Sequence, residues 1–393
     1  MRLPRFIPAL ALTLVISWGS LYYAFALLAP PMQAELQASN QALMGAYSLG
    51  LLVWGLATGA VGALLPRIGG RVLMGAGSLL AGLMFLALGR VESVAGCCLV
   101  WCGLGVAMAM TLYEPAFAIV VQACPDDRRR CITVLALAGG LASSVFWPLT
   151  AGLVEAFGWR GTASALGLLQ LAVCAPLHAG LLPGRTAQAR STDAPPPAQV
   201  GAGTAAPRRV LLLLALAFSV NGFVTAALAM HVIPLLQARG AAPGTAVALA
   251  ACIGPMQVLG RALEFLSGSA LDARRLGLLA LGLIPLALGA LWLAAWQPLL
   301  CGLFIVAYGT GLGLMTIVRA TTPLALFGPA RYAAVSGALG SPALLARAAG
   351  PLGAAWLLGH LPGAGSVLLL LAAAGALATG AFIHAWTIGA RTA

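Results

Sequence analysis

Long apolar runs separated by short polar breaks dominate this chain. A helix that crosses the hydrocarbon core of a bilayer needs ~20 mostly apolar residues. Runs of about that length fall roughly at 6–29, 42–65, 72–90, 96–122, 131–154, 162–182, 210–235, 245–270, 276–296, 299–323, 333–358 and 364–388. The pattern predicts twelve membrane-spanning helices, six on each side of one long polar stretch. That stretch, Leu182 to Arg209, is rich in Pro, Gly, Ser and Thr and carries Arg185, Arg190, Arg208 and Arg209. Such a composition buries no core and reads as a solvated linker. The expected fold is an all-α membrane protein: an N-terminal six-helix bundle over 1–182, a linker over 183–209 and a C-terminal six-helix bundle over 210–393.

Composition sharpens this picture. At 61% hydrophobic and 8% charged over 393 residues, with a mean hydropathy of +0.99, the chain lies outside the range of soluble domains. A net charge of +12 invites a nucleic-acid partner, yet the arginines are scattered through short loops instead of lining one face, so none is expected. In a twelve-span layout Arg2, Arg5, Arg67, Arg71, Arg128, Arg129, Arg130, Arg185, Arg190, Arg208, Arg209, Arg274, Arg275, Arg331 and Arg391 share one side, against Arg90, Arg160 and Arg239 on the other. The positive-inside rule then places both termini and the linker in the cytoplasm. The expected location is a bacterial inner membrane, with the lipid bilayer as partner and a monomer as the unit. Ala24-Phe25-Ala26 resembles a signal-peptidase site, but the apolar run before it is longer than the roughly 7–15 residues of a signal peptide, so it is kept as the first span. The 8 cysteines show neither metal-ligand spacing nor a pairing pattern in outer loops. No metal or other cofactor is expected. No nucleophile or phosphate-binding constellation is present, and no loop could seat a catalytic domain, so the chain is not read as an enzyme.

The first half holds its chemistry in a few places. Ser17-Trp18-Gly19-Ser20 and Tyr22-Tyr23 stand near the middle of the first span, where polar and aromatic groups either pack helices or line a cavity. Glu114-Pro115 lies deep in the fourth span. An acid there is costly unless protonated, paired or wetted, so it takes part in transport or is bonded to a neighbouring helix. Pro115 frees a backbone carbonyl one turn earlier and favours a kink. The fifth span carries Gly139-Gly140, Ser143-Ser144 and a bulky kinked step at Phe146-Trp147-Pro148. Between the second and third spans runs Gly62-Ala63-Leu64-Leu65-Pro66-Arg67-Ile68-Gly69-Gly70-Arg71. Gly62, Arg67, Gly69 and Arg71 in this loop resemble the Gly-x-x-x-Asp-Arg-x-Gly-x-Arg motif of the major facilitator superfamily, with Pro66 where the family usually has aspartate. The resemblance implies two six-helix halves that rock about a substrate site.

The second half repeats the first. Gly19 to Pro31 and Gly222 to Pro234 span the same interval; Gly103-Leu104-Gly105 precedes Glu114-Pro115 as Gly311-Leu312-Gly313 precedes Thr322-Pro323. Gly268, Asp272 and Arg275 form a truncated second copy of the loop motif that keeps the aspartate. Parallel repeats of this kind are the design of facilitator halves. Arg261 lies near mid-membrane in the eighth span with Glu264 one turn on, on the same face; the arginine is either an anion site or half of a structural ion pair. Arg319 and Arg347 are also too deep for interface anchors, and Glu114 is expected to pair with one of them across the halves. Asn221 and His231 complete the polar set, the histidine as a bonded structural group or a titrating one. His178, His360 and His384 lie at or near span ends and are set aside.

The mid-membrane Arg261, the run from Arg128 to Gly140 and Gly158-Trp159-Arg160 resemble the monocarboxylate-porter and oxalate/formate branch, although the membrane lysine common there is absent. The functional expectation is proton-coupled secondary transport of a small organic anion by alternating access. Arg261, Tyr23, Asn221, Trp18, Trp147 and Arg347 would bind substrate, and Glu114, Glu264, Arg319 and His231 would serve proton coupling or gating. The alternative is proton-driven efflux of amphipathic or cationic compounds, with Trp18, Tyr22, Tyr113, Glu114, Phe146 and Trp147 as an acid-lined aromatic cavity. A non-transporting receptor on the same fold has little support in the residues.

Overall fold

The computed structural model describes residues 4–124, 127–184, 208–267 and 271–392, and its regular elements are helices. The chain divides into two compact units, Met1–Ala194 and Pro195–Ala393.

In the first unit α1 (Phe6–Ser17) runs through a π-helical turn (Trp18–Tyr23) into α2 (Phe25–Glu35). There follow α3 (Asn40–Ile68), α4 (Gly70–Leu88), α5 (Val94–Thr111), α6 (Tyr113–Ala123), α7 (Arg128–Gly140), α8 (Ala142–Leu169), a second π-helical turn (Gln170–Cys174) and α9 (Ala175–Leu181). Ser39 and Ser93 cap α3 and α5, accepting from Ala42 N at 3.1 Å and Gly96 N at 3.2 Å, which satisfies amide donors a helix start leaves open. Between α5 and α6 the backbone leaves the helix at Leu112 (φ −86°, ψ −156°). The cause is the one the sequence indicates: Pro115 has no N–H to give to Thr111 O. In the fifth span the break comes elsewhere than expected. Pro148 stays inside α8, and the interruption lies at Leu141, after Gly139-Gly140.

The second unit holds α10 (Arg208–Gln237), α11 (Pro243–Ala251), α12 (Ile253–Ser267), α13 (Ala273–Leu293), α14 (Leu300–His360) and α15 (Gly363–Thr392). Among the described residues 10 helical stretches are long and apolar enough to cross a membrane, against the twelve expected. One of the two falls where the predicted fifth and sixth spans run on without a loop, and the other is the part of α14 after Gly328, which is not among the ten. Arg130–Leu181 has 52 residues, ~78 Å at the α-helical rise and more than twice a bilayer core. Its backbone departs from the helix at Gly158 (φ 64°, ψ 176°). The 61-residue α14 does the same at Gly328 (φ 72°, ψ 172°). Glycine takes such a positive φ at no steric cost, so one helix ends and the next begins at a single residue.

Each unit is packed around glycine contacts. A Cβ on Gly105 of α5 would strike Gly50 O of α3, and a Cβ on Gly313 of α14 would strike Gln257 O of α12. The repeated Gly-Leu-Gly thus marks the same backbone-to-backbone crossing in both units. Ile7, Leu10, Leu14, Leu73, Ile119 and Leu135 build one core of the first unit, and Leu214, Phe218, Leu281, Val318, Leu339 and Phe382 one of the second. Leu56, Leu99 and Leu286 are exposed, as surfaces against lipid require, since acyl chains are as apolar as leucine.

Candidate functional site

A chain of aromatic rings crosses the first unit. The π-helical turn, closed by Ala24 N donating to Gly19 O at 2.9 Å, puts one extra residue in the turn and re-aims Trp18, Tyr22 and Tyr23. Trp147 of α8 meets Tyr23 at 5.3 Å between centroids, Tyr23 meets Tyr22 at 5.1 Å, and Tyr22 meets Trp18 at 5.3 Å. Trp18 in turn meets Trp54 of α3 at 5.8 Å and Tyr113 of α6 at 5.0 Å. The sequence-predicted Trp18, Tyr23 and Trp147 are therefore brought together. Phe146 instead packs on Gly19. The indole nitrogens of Trp18 and Trp147 are buried with no hydrogen-bond partner among the described residues. Glu114, next to Tyr113 in the first turn of α6, is exposed.

Beside the rings lies a polar ladder that the sequence reading passed over. Gln170 Nε2 donates to Ser20 Oγ at 2.9 Å, linking the two π-helical turns. Two turns further along α9, His178 is 1% exposed. Its Nδ1 lies 2.9 Å from Ser78 Oγ and 3.2 Å from Met74 O, and its Nε2 lies 2.9 Å from Thr13 Oγ1. Thr13 Oγ1 donates in turn to Leu10 O at 3.1 Å, so the imidazole, two hydroxyls and two carbonyls form one hydrogen-bonded ladder. A signal was present: Thr13, Ser17 and Ser20 fall on one face of the first span, and Gln170, Cys174 and His178 on one face of the sixth.

The second unit carries the cationic set. Arg261 of α12 is partly buried and donates from Nε to Gly313 O of α14 at 3.4 Å. Glu264, Arg319 and Arg347 are likewise partly buried within α12 and α14. A Cβ on Gly222 would lie 3.0 Å from Ala343 O and 3.9 Å from Arg347 N, so α10 and α14 run close, and the backbone of Arg347 lies beside the neighbour of Asn221. Asn221 is 3% exposed. Its carbonyl accepts from Thr225 Oγ1 at 2.8 Å, and Thr225 O accepts from Tyr308 Oη at 3.2 Å. His231 is 4% exposed. Its Nδ1 donates to Ala227 O at 3.0 Å, and its Nε2 is buried without a hydrogen-bond partner among the described residues.

The loop motifs do structural work inside their own units. Gly69 (φ 82°) turns α3 into α4. Arg71 Nε donates to Leu182 O at 3.0 Å, tying this loop to the end of α9. A Cβ on Gly62 would meet open space, and Arg67 is exposed. In the second copy Asp272 caps α13 by accepting from Arg275 N at 2.7 Å, while Gly268 lies outside the described residues. Trp159 Nε1 and Arg160 Nε both donate to the carboxylate of Glu35, at 2.5 Å and 2.7 Å, and Arg160 Nη1 donates to Gly89 O at 3.0 Å. These contacts clasp the ends of α2 and α4, which accounts for Trp159-Arg160 without a substrate.

Residues 10–351 match the family model of the Major Facilitator Superfamily. The chain belongs to that superfamily. No protein of curated function matches the sequence of this facilitator. Among solved structures it is similar to a bacterial homologue of the human lysosomal transporter Spinster, at 16% identity over 97% of this chain and 96% of that one, with a TM-score of 0.73. It is also similar to the nucleoside transporter NupG, at 13% identity over 97% of this chain and 99% of that one, with a TM-score of 0.74. At such identities the likeness is one of fold. Membership of the superfamily makes this protein a multi-pass membrane transporter and not an enzyme, and the comparisons give no support to the monocarboxylate or oxalate/formate branch.

Proposed function

We propose that this facilitator is a secondary transporter of a small organic anion. One observation carries the reading: Arg261, Arg319 and Arg347 stand inside the apolar helices of the second unit, where Glu264 is the sole acid at comparable depth. Guanidinium groups set among apolar helices favour a solute of opposite charge, whose carboxylate their donors can meet. Arg261 is assigned to the carboxylate, which its planar fork of donors matches. Asn221 and Arg347, with Tyr23, Trp18 and Trp147, are assigned to the rest of the solute, the aromatic rings suiting an apolar body. Glu114, Glu264, Arg319 and His231 are assigned to proton coupling or gating. The proposal includes twelve spans with cytoplasmic termini, a monomer in a bacterial inner membrane, and alternating access driven by a proton gradient. For the resemblance to the organic-anion branch Arg261 and the run from Arg128 to Gly140 remain, since Trp159 and Arg160 have the structural role described above.

A second reading is favoured by the aromatic chain with exposed Glu114 beside it: efflux of amphipathic cations, which such rings and an acid attract. Thermal stabilisation of the purified protein by a carboxylate panel and a cationic dye panel separates the two. Carboxylate stabilisation that is lost in Arg261→Gln supports the anion reading; stabilisation by dyes alone, unaffected by that change, overturns it.

A further inference from the structure

Arg239 lies in the turn that follows α10, at the end of that 30-residue helix away from the linker. Its Nε and Nη2 are buried, and neither has a hydrogen-bond partner among the described residues. These two nitrogens form one edge of the guanidinium, the fork whose parallel N–H bonds meet two oxygens of a single oxyanion. A buried charge without a counter-ion is costly. Residues 210–393 contain only two acids, Glu264 and Asp272. Glu264 closes the apolar stretch Pro243–Glu264 that starts beside this turn, ~30 Å away at the helical rise, and Asp272 follows it. The second unit therefore brings no carboxylate of its own to this edge. Arg239 as a whole is partly exposed, so the edge lies just beneath the surface, and a turn of the long side chain offers it to an arriving group.

Other donors converge on the same place. A Cβ on Gly365 would lie 3.0 Å from Arg239 Nη2 and 3.6 Å from Trp292 Nε1, so this glycine keeps open the space between a guanidinium and an indole N–H. Gly365 stands in the first turn of α15, where backbone amides lack helical acceptors and carry partial positive charge. Trp292 packs edge-on against Trp296 at 4.9 Å between centroids, and Trp296 is 69% exposed. Tryptophans collect at the depth of the lipid head groups. We propose that Arg239, Trp292 and the first turn of α15 form a binding site for a phosphate group at the membrane interface, supplied by a phospholipid head group or by free phosphate. The bound group stabilises the second unit and is not the transported solute, so the inference is independent of the assignment of Arg261.

The test follows thermal unfolding of the delipidated full-length protein in detergent. Dioctanoyl phosphatidylglycerol, dioctanoylglycerol, inorganic phosphate and acetate are titrated at one ionic strength. The phospholipid should raise the melting temperature by about 5–10 °C at a hundredfold excess over its Kd, and dioctanoylglycerol should not. Arg239→Gln should abolish the rise. Gly365→Val, which fills the space beside Nη2 and keeps the charge, should abolish it too, and serves alone if the arginine variant misfolds. An equal rise with inorganic phosphate, lost in the same variants, assigns the site to free phosphate. A rise with acetate or dioctanoylglycerol as large as with the phospholipid, a rise that survives both substitutions, or no rise with either phosphate compound overturns the site.

Discussion

Replacement of His178 by leucine removes the hub of the ladder between the first and sixth spans. The imidazole holds two cross-helix hydroxyl contacts, Ser78 Oγ and Thr13 Oγ1, both at 2.9 Å. Side-chain hydrogen bonds between membrane helices contribute about 0.6 kcal/mol each on average, with a maximum of about 1.7. Loss of both bonds, together with two hydroxyls left to find other acceptors, should therefore destabilise the protein by ~1–3 kcal/mol. For a unit of this size each kcal/mol lowers the melting temperature by about 2–4 °C. The assay is thermal unfolding of purified protein, followed by intrinsic fluorescence, for His178→Leu, Thr13→Val, Ser78→Ala and the double variants. Coupling should appear in the cycles: once His178 is gone, Thr13→Val and Ser78→Ala should cost less than in the wild type. A His178→Leu protein melting within about one degree of wild type, or strict additivity, would refute the network.

Other outcomes follow from single contacts. Gly313→Leu should abolish folded protein, since its side chain meets Gln257 O, whereas Gly302→Ala in the same helix, where a Cβ finds open space, should be neutral or slightly stabilising; size-exclusion profiles distinguish them, and a monodisperse Gly313→Leu peak would contradict the crossing. Asp272→Ala should cost about 1 kcal/mol through loss of the cap on α13, and Asp272→Asn much less, because asparagine caps equally well. Equal melting losses in the two Asp272 variants would show that the motif aspartate acts through something other than capping.

Much of the fold is legible because hydrocarbon imposes one rule everywhere: backbone polar groups must be satisfied within the segment, so apolar runs of span length become helices. The kink after Thr111 follows from Pro115, and the Gly-Leu-Gly repeat from the crossings it serves. The break in the fifth span was misplaced at Pro148, because a proline near a helix surface can be absorbed while Gly139-Gly140 gives the backbone its freedom at Leu141. The π-helical turns at Trp18–Tyr23 and Gln170–Cys174 leave no periodic mark, since one extra residue shifts the register without altering composition. His178 reads as a helix-end histidine because its partners Ser78 and Thr13 lie 100 and 165 residues away along the chain, and the polar face it shares with Gln170 and Cys174 gains meaning only once the helices are paired. For Arg261 the residue type and its place deep in an apolar run suffice to single it out.

Uptake of a labelled carboxylate into proteoliposomes under an imposed proton gradient, compared between wild type and Arg261→Ala, tests the central claim most directly. The account predicts gradient-stimulated uptake by the wild type and background uptake by a variant that still elutes and melts as a folded protein. Undiminished uptake by Arg261→Ala, or movement of cationic compounds alone by the wild type, would contradict it.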